Sequence, residues 1–78
     1  MSEGIKDKAL RYRNLAKDET FQELIETVAN RQVAVFLNVD SSVEAIDEAR
    51  SIVLALKYVD TVIQSVLDEE AVYDKKNS

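Results

Sequence analysis

The sequence predicts an all-α protein built as a long antiparallel αα-hairpin. The 78-residue chain contains one glycine and no proline, so the residues that usually interrupt helices are nearly absent. Apolar residues recur at spacings of three and four along most of the chain, as they do on one face of an α-helix. The one clear cluster of turn-forming residues lies at residues 38–42, near the middle of the chain. We therefore treat residues 1–78 as a single helical domain with two arms.

The second arm is predicted to run from about residue 42 to about residue 73. Ser41 and Glu44 match the S-x-x-E capping box, in which the serine hydroxyl accepts a hydrogen bond from the glutamate amide. The apolar positions that follow alternate by four and three, like the a and d positions of a coiled coil. We call these positions the second-arm seam: Ala45, Ala49, Ile52, Leu56, Val59, Ile63, Val66 and, after a gap at Glu70, Tyr73. The polar tail at residues 74–78 is expected to fray.

The first arm is predicted over about residues 5–38, followed by a turn at residues 39–41. Thr20 and Glu23 form another S/T-x-x-E match, which favours a new helix start directly after Thr20. The apolar stripe nevertheless passes this point without a large change of phase. A continuous or kinked arm therefore stays open beside an arm broken near residues 18–20, which gives three helices. The stripe comprises Ile5, Ala9, Tyr12, Ala16, Phe21, Ile25, Val28, Val35 and Val39, and Gln32 interrupts it.

Composition narrows the chemistry that this chain can perform. Without histidine or cysteine, it has no nucleophile–histidine system, no disulfide and no zinc site of the usual nitrogen and sulfur kind. Glu44, Asp47 and Glu48 share one helix face, but a carboxylate cluster there is typical of a solvated helix start. We therefore expect a protein that is not an enzyme and has no catalytic residue, metal or cofactor.

Hydropathy predicts no membrane partner. No apolar stretch is longer than that of residues 52–56, which is far shorter than the roughly 20 residues that span a bilayer. The first residues lack the basic and apolar regions of a signal peptide. A cytoplasmic protein is expected.

The net charge of −5 is distributed unevenly. Residues 1–17 hold five basic and two acidic residues, whereas residues 18–74 hold three basic and thirteen acidic residues. In an antiparallel hairpin the basic segment can pair with the acidic end of the second arm, at Asp60, Asp68, Glu69, Glu70 and Asp74. Alternatively, the basic segment contacts nucleic acid, with a tyrosine stacked on a base. The residues for that contact are Lys6, Lys8, Arg11, Tyr12, Arg13 and Lys17.

The second arm carries more apolar surface than one partner helix can cover. Five further apolar residues lie partly outside the second-arm seam: Val43, Leu54, Ala55, Val62 and Val72. A helix that is apolar on several sides is normally enclosed by several neighbours. We expect a homo-oligomer, with a dimer completing a four-helix bundle, or a larger assembly; a monomeric three-helix core is the alternative. The expected interface comprises Ile52, Val53, Leu54, Leu56, Val59, Ile63 and Val66.

The pattern of residues 21–26, 36–38, 44–50 and 55–58 around a serine-capped turn resembles a known group of proteins. These are the small all-α proteins encoded in head and DNA-packaging gene clusters of tailed bacteriophages, and the resemblance covers about residues 20–67. It implies a helical hairpin that self-associates or docks on a virion or packaging component, in the host cytoplasm or the virion. It transfers no catalytic residue, and the basic segment is not part of it.

The sequence thus predicts a non-enzymatic interaction or assembly protein of the kind that serves phage assembly or packaging. One alternative is a small nucleic-acid-binding accessory protein that acts through the basic segment. Another is an acidic viral protein that inhibits a host enzyme by occupying a basic site on it.

Overall fold

The computed structural model describes the backbone of residues 2–77 and the side chains of residues 4–77. It contains three helices, α1 (Ser2–Lys17), α2 (Glu19–Leu37) and α3 (Val43–Lys76). Helices account for 91% of the described residues, among which there is no strand. The predicted all-α class is confirmed.

One residue, Asp18, separates α1 from α2. Its backbone is extended, and its Oδ1 accepts a hydrogen bond from the amide of Phe21 at 2.8 Å, so Asp18 caps α2. The Gln22 side-chain amide donates to the Ala16 carbonyl at 2.9 Å and satisfies one acceptor at the end of α1. The first arm is therefore broken within the expected region, but Asp18 caps the new helix and the match at Thr20 does not.

Side-chain hydrogen bonds close the turn between α2 and α3. The Asn38 Oδ1 accepts from the Asp40 amide at 3.0 Å, as in an Asx turn. The Ser41 hydroxyl donates to the Val35 carbonyl at 2.8 Å and satisfies an acceptor in the last turn of α2. Ser41 thereby belongs to the end of α2.

The cap of α3 is Ser42, whose hydroxyl accepts from the Ala45 amide at 3.1 Å. The predicted capping box from Ser41 to Glu44 is wrong by one residue, because the Ser41 hydroxyl is directed to α2. At its other end α3 continues to Lys76, three residues past the predicted end. The Asn77 side chain donates to the Tyr73 carbonyl at 2.8 Å there. Part of the predicted tail is thus helical, and its last residue, Ser78, lies outside the described residues.

The first two helices pack in succession along α3 and run in the opposite direction to it. Lys6 near the start of α1 pairs with Asp74 near the end of α3, and Phe21 near the start of α2 borders a groove with Ile63. The molecule measures 56 × 22 × 16 Å. Its radius of gyration is 17.0 Å, whereas a compact domain of this length has about 11.5 Å. A layer only two helices wide explains this elongation.

The core is thin. Four apolar side chains are buried, Ala9, Ala49, Ile63 and Val66, and no large side chain among the described residues is fully buried. Gln32 is buried with them, and its side-chain amide donates to the Val28 carbonyl of its own helix at 2.9 Å. The accessible surface is 6275 Å², against about 4,800 Å² for a compact monomer of this mass. The chain alone therefore leaves unusually much surface exposed.

Candidate interaction surfaces

The residues predicted to form the self-association interface fall into two groups. Ile63 and Val66 are buried and Ile52 and Leu56 are half-buried, so within one chain these four already face α1 and α2. The other three are more accessible and could reach a second chain. They are Val53, Leu54 and Val59, which are 39%, 57% and 41% exposed.

A groove lies where the end of α1 and the start of α2 pack against α3. Its lining residues identify the sides of α2 and α3 that lie on the same face of the molecule. It is lined by Ala16, Phe21, Gln22, Ile25 and Glu26 and, across from them, by Asp60 and Ile63. A step of seven residues is close to two helical turns and returns to nearly the same side of a helix. Stepping from Gln22 and Glu26 leads to Ala29 and Val33, and stepping back from Asp60 leads to Val53.

One further step on each helix reaches Phe36 and Ile46. We call these five residues, Ala29, Val33, Phe36, Ile46 and Val53, the groove face. The last four are between 38% and 48% exposed, and Ala29 is half-buried. All five are uncharged, and they extend from the groove to the turn. The groove face therefore combines partly exposed apolar side chains of both helices.

The opposite side of α3 differs in charge. A seven-residue series on that side runs through Glu48, Ala55, Val62 and Glu69, so it begins and ends with a carboxylate. A second groove, formed where α1 meets the end of α3, is also bordered by charged residues. Its lining is Ile5, Ser65, Asp68, Glu69, Val72, Tyr73 and Lys76. The five residues of the groove face, in contrast, include no charged side chain.

The basic segment is engaged in part by α3. Arg13 pairs with Glu70, whose side chain is only 14% exposed, and Lys6 pairs with Asp74. The hydrogen bond from Lys6 to Asp74 raises the pKa of the lysine above its ordinary value of 10.5, partly opposed by desolvation. A lysine with a raised pKa contributes stability that is present below pH 10.5 and is lost as the pH rises through the folded-state value. The expected pairing with the acidic end of α3 is thus found at Glu70 and Asp74.

The other candidate nucleic-acid contacts lie along α1 itself. Arg11 lies 3.6 Å from the Asp7 carboxylate one turn earlier, and the Lys8 ammonium lies 5.9 Å from the centre of the Tyr12 ring. Lys17 is in the last turn of α1, where a positive charge interacts favourably with the negative end of the helix dipole. Each of these positions has a structural role within the helix, and the pairs of Lys6 and Arg13 compete with phosphate contacts.

The part of the chain that the structure describes contains no group of three or more acidic residues arranged to hold a metal ion. Glu44, Asp47 and Glu48 are all exposed at the start of α3. Within residues 2–77 no helix combines the length and apolarity needed to cross a membrane.

Comparisons of the chain with protein-family models, curated proteins and solved structures gave no match.

Sequence reasoning missed the contribution of α2 to the groove face. The expected interface was confined to α3, because the surplus of apolar residues was counted there. Ala29 and Phe36 flank the apolar stripe of α2, and their spacing of seven is the signal that could have placed them on one face. Val33, four residues after Ala29, completes the same pattern.

Proposed function

We propose that this protein is a non-enzymatic assembly protein whose partner is a second copy of the same chain. The observation that supports this most directly is the surface that one chain leaves uncovered. Its accessible surface exceeds that of a compact protein of equal mass by about 1,500 Å². A typical stable interface covers about 800 Å² of each partner. The excess surface of one chain is therefore large enough to supply its share of one interface of ordinary size.

The nature of the exposed residues supports the same function. Among the described residues, fifteen large hydrophobic side chains are exposed, and four of them belong to the groove face. Apolar patches of this kind are uncommon on monomeric proteins and mark interaction sites. Two helical hairpins packed face to face give a four-helix bundle, in which apolar residues on both layers are enclosed. A dimer of this form is the simplest assembly that covers the groove face.

A virion-assembly or DNA-packaging role is the biological setting that we propose for this self-association. It is supported by the resemblance of residues 20–67 to small helical proteins of phage head and packaging gene clusters. In that setting the dimer, with its surface charge of both signs, docks on a larger component and performs no reaction.

Sedimentation equilibrium of the full chain, over a wide concentration series, tests the proposed function. We expect a monomer–dimer equilibrium, with a mass approaching twice 8.8 kDa at high concentration. An apolar interface should persist in 0.5 M NaCl, because salt screens charge pairs and leaves apolar burial intact. A monomeric mass at every concentration would contradict the proposal.

A further inference from the structure

We propose that two copies associate through their groove faces in antiparallel orientation, with a two-fold axis passing near Ala29 and Val53. This inference rests on the proposed function and identifies the surface and the register of the dimer. The partner is a second copy of the chain, because this rotation places the exposed Phe36 and Ile46 side chains of one copy on the groove of the other.

The groove and the exposed Phe36 side chain lie at equal distances on either side of Ala29 along α2. Phe36 lies seven residues after Ala29, and Gln22, which borders the groove, lies seven residues before it. Each interval corresponds to about 10.5 Å along the helix axis. A two-fold axis perpendicular to the helices at Ala29 therefore brings Phe36 of one copy over Gln22 of the other.

The same relation holds on α3. Ile46 lies seven residues before Val53, and Asp60, on the other border of the groove, lies seven residues after it. Because Gln22 and Asp60 line the same groove, Ala29 and Val53 lie at the same level of the antiparallel helices, and one axis serves both. In this arrangement, the Phe36 ring and the Ile46 side chain of one copy pack over the groove of the other copy.

The chemistry of the groove fits a large apolar side chain. Phe21, Ile25 and Ile63 line it, and all three are at most half-exposed in the single chain. Phe36 is 44% exposed, so its ring has accessible surface to bury. An aromatic side chain that fills a pocket on the partner is the usual source of binding energy in an interface.

Charge is consistent with the same register. The α3 series that passes through Val53 contains two charged residues, Asp60, which borders the groove, and Asp74, which pairs with Lys6 far from the proposed axis. In the antiparallel dimer, Arg50 of the second copy lies one helical turn from the level of Asp60, which an arginine side chain can span. The opposite side of α3 would instead bring the carboxylates of Glu48 and Glu69 into an apolar interface, which is costly.

Single-cysteine variants of the full chain test the face, since the chain has no cysteine of its own. We expect Ala29→Cys to form a disulfide-linked dimer under mild oxidation, because the two copies of this residue meet at the axis. Ala34→Cys is the matched control. It replaces the same residue type on the same helix, but it is exposed and lies five residues on, about 140° around α2.

Truncation of Phe36, the side chain proposed to fill the groove of the partner, tests the register. Phe36→Ala should raise the dimer dissociation constant at least tenfold in sedimentation equilibrium. Leu37→Ala, the neighbouring residue at 77% exposure, should leave it unchanged. Circular dichroism establishes that both variants keep the helical content of the parent chain.

The outcomes separate this inference from the proposed function. A dimer in sedimentation that is linked by Ala34→Cys and not by Ala29→Cys would overturn the groove face while leaving self-association intact. Dimerisation that is indifferent to Phe36→Ala would overturn the register. A parent chain that stays monomeric would remove the proposed function and this inference together.

Discussion

The two ends of the molecule are held together by different interactions. At the turn end, α2 and α3 are joined by a short turn, in which the Ser41 hydroxyl donates to the Val35 carbonyl of α2 and the Ser42 hydroxyl accepts from the Ala45 amide of α3. At the other end, α1 contributes only Ala9 to the buried apolar residues and is fastened to α3 by two ion pairs. Neither covering helix supplies much of the core, since Gln32 is the one buried residue of α2, and most members of both apolar stripes stay partly exposed in so thin a layer. Two ion pairs hold α1 against α3, whereas α2 and α3 leave large apolar side chains exposed to solvent.

The largest effect is expected where the two ends meet, in the middle of α3. Ile63 is buried there, and Ile63→Asp places a carboxylate without a partner among apolar side chains, at a cost of about 3 kcal/mol or more. For a chain with so thin a core, we expect loss of most helical signal in circular dichroism. Thr61→Asp, on an exposed position two residues earlier, is the control and should keep that signal. Equal urea midpoints for the two variants would show that Ile63 is not part of the core.

A smaller effect is expected from the ion pairs of α1. Arg13→Gln leaves the Glu70 carboxylate, which is 14% exposed, without its guanidinium, at a cost of about 1–2 kcal/mol. Lys6→Gln should cost less, because both side chains of the Lys6–Asp74 pair are 49% exposed. Urea unfolding at low and high NaCl measures both variants. The Arg13 effect should persist in 0.5 M NaCl while the Lys6 effect disappears, and the reverse order would contradict a partly buried Arg13–Glu70 pair.

The smallest of these effects concerns the cap at the turn end. Ser42→Ala removes the acceptor of the Ala45 amide and should lower the free energy of unfolding by about 1 kcal/mol. Ser51→Ala is the matched control, because Ser51 is an exposed mid-helix residue whose hydroxyl donates to the Asp47 carbonyl of its own helix. Since alanine is the better helix former, this control should be as stable as the parent or slightly more stable. Similar losses for both variants would argue against Ser42 as the cap.

The periodicity of the second arm was the most informative part of the sequence. It placed Ala49, Ile63 and Val66 on the seam, and all three are buried. Val59, also on the seam, is 41% exposed. It lies next to Asp60 at the level of the groove, where α1 ends and α2 begins, so the covering layer is interrupted there. A pattern within one helix carries no information about a gap in the helix that packs against it.

The break in the first arm illustrates a second limit. Asp18 and Thr20 are both good capping residues, and local propensity does not choose between them. The arrangement that the chain adopts also uses Gln22, whose side chain reaches back to the Ala16 carbonyl across the junction. That bond depends on the angle between two helices, which the spacing of apolar residues does not specify. The groove face escaped prediction for a similar reason, because it combines flanking residues of two helices.

The position of the turn has a consequence for the order in which the molecule assembles. Contacts between the first two helices and α3 span more of the chain the farther they lie from the turn, from 38 residues between Ile25 and Ile63 at the groove to 68 residues at Lys6 and Asp74. Closing a longer loop costs more conformational entropy, so pairing is favoured first beside the turn and then progresses outward. The same gradient governs opening in the folded state. The α1 end is the last part to dock and the first to detach, while the turn end, which carries the groove face, retains its structure longest.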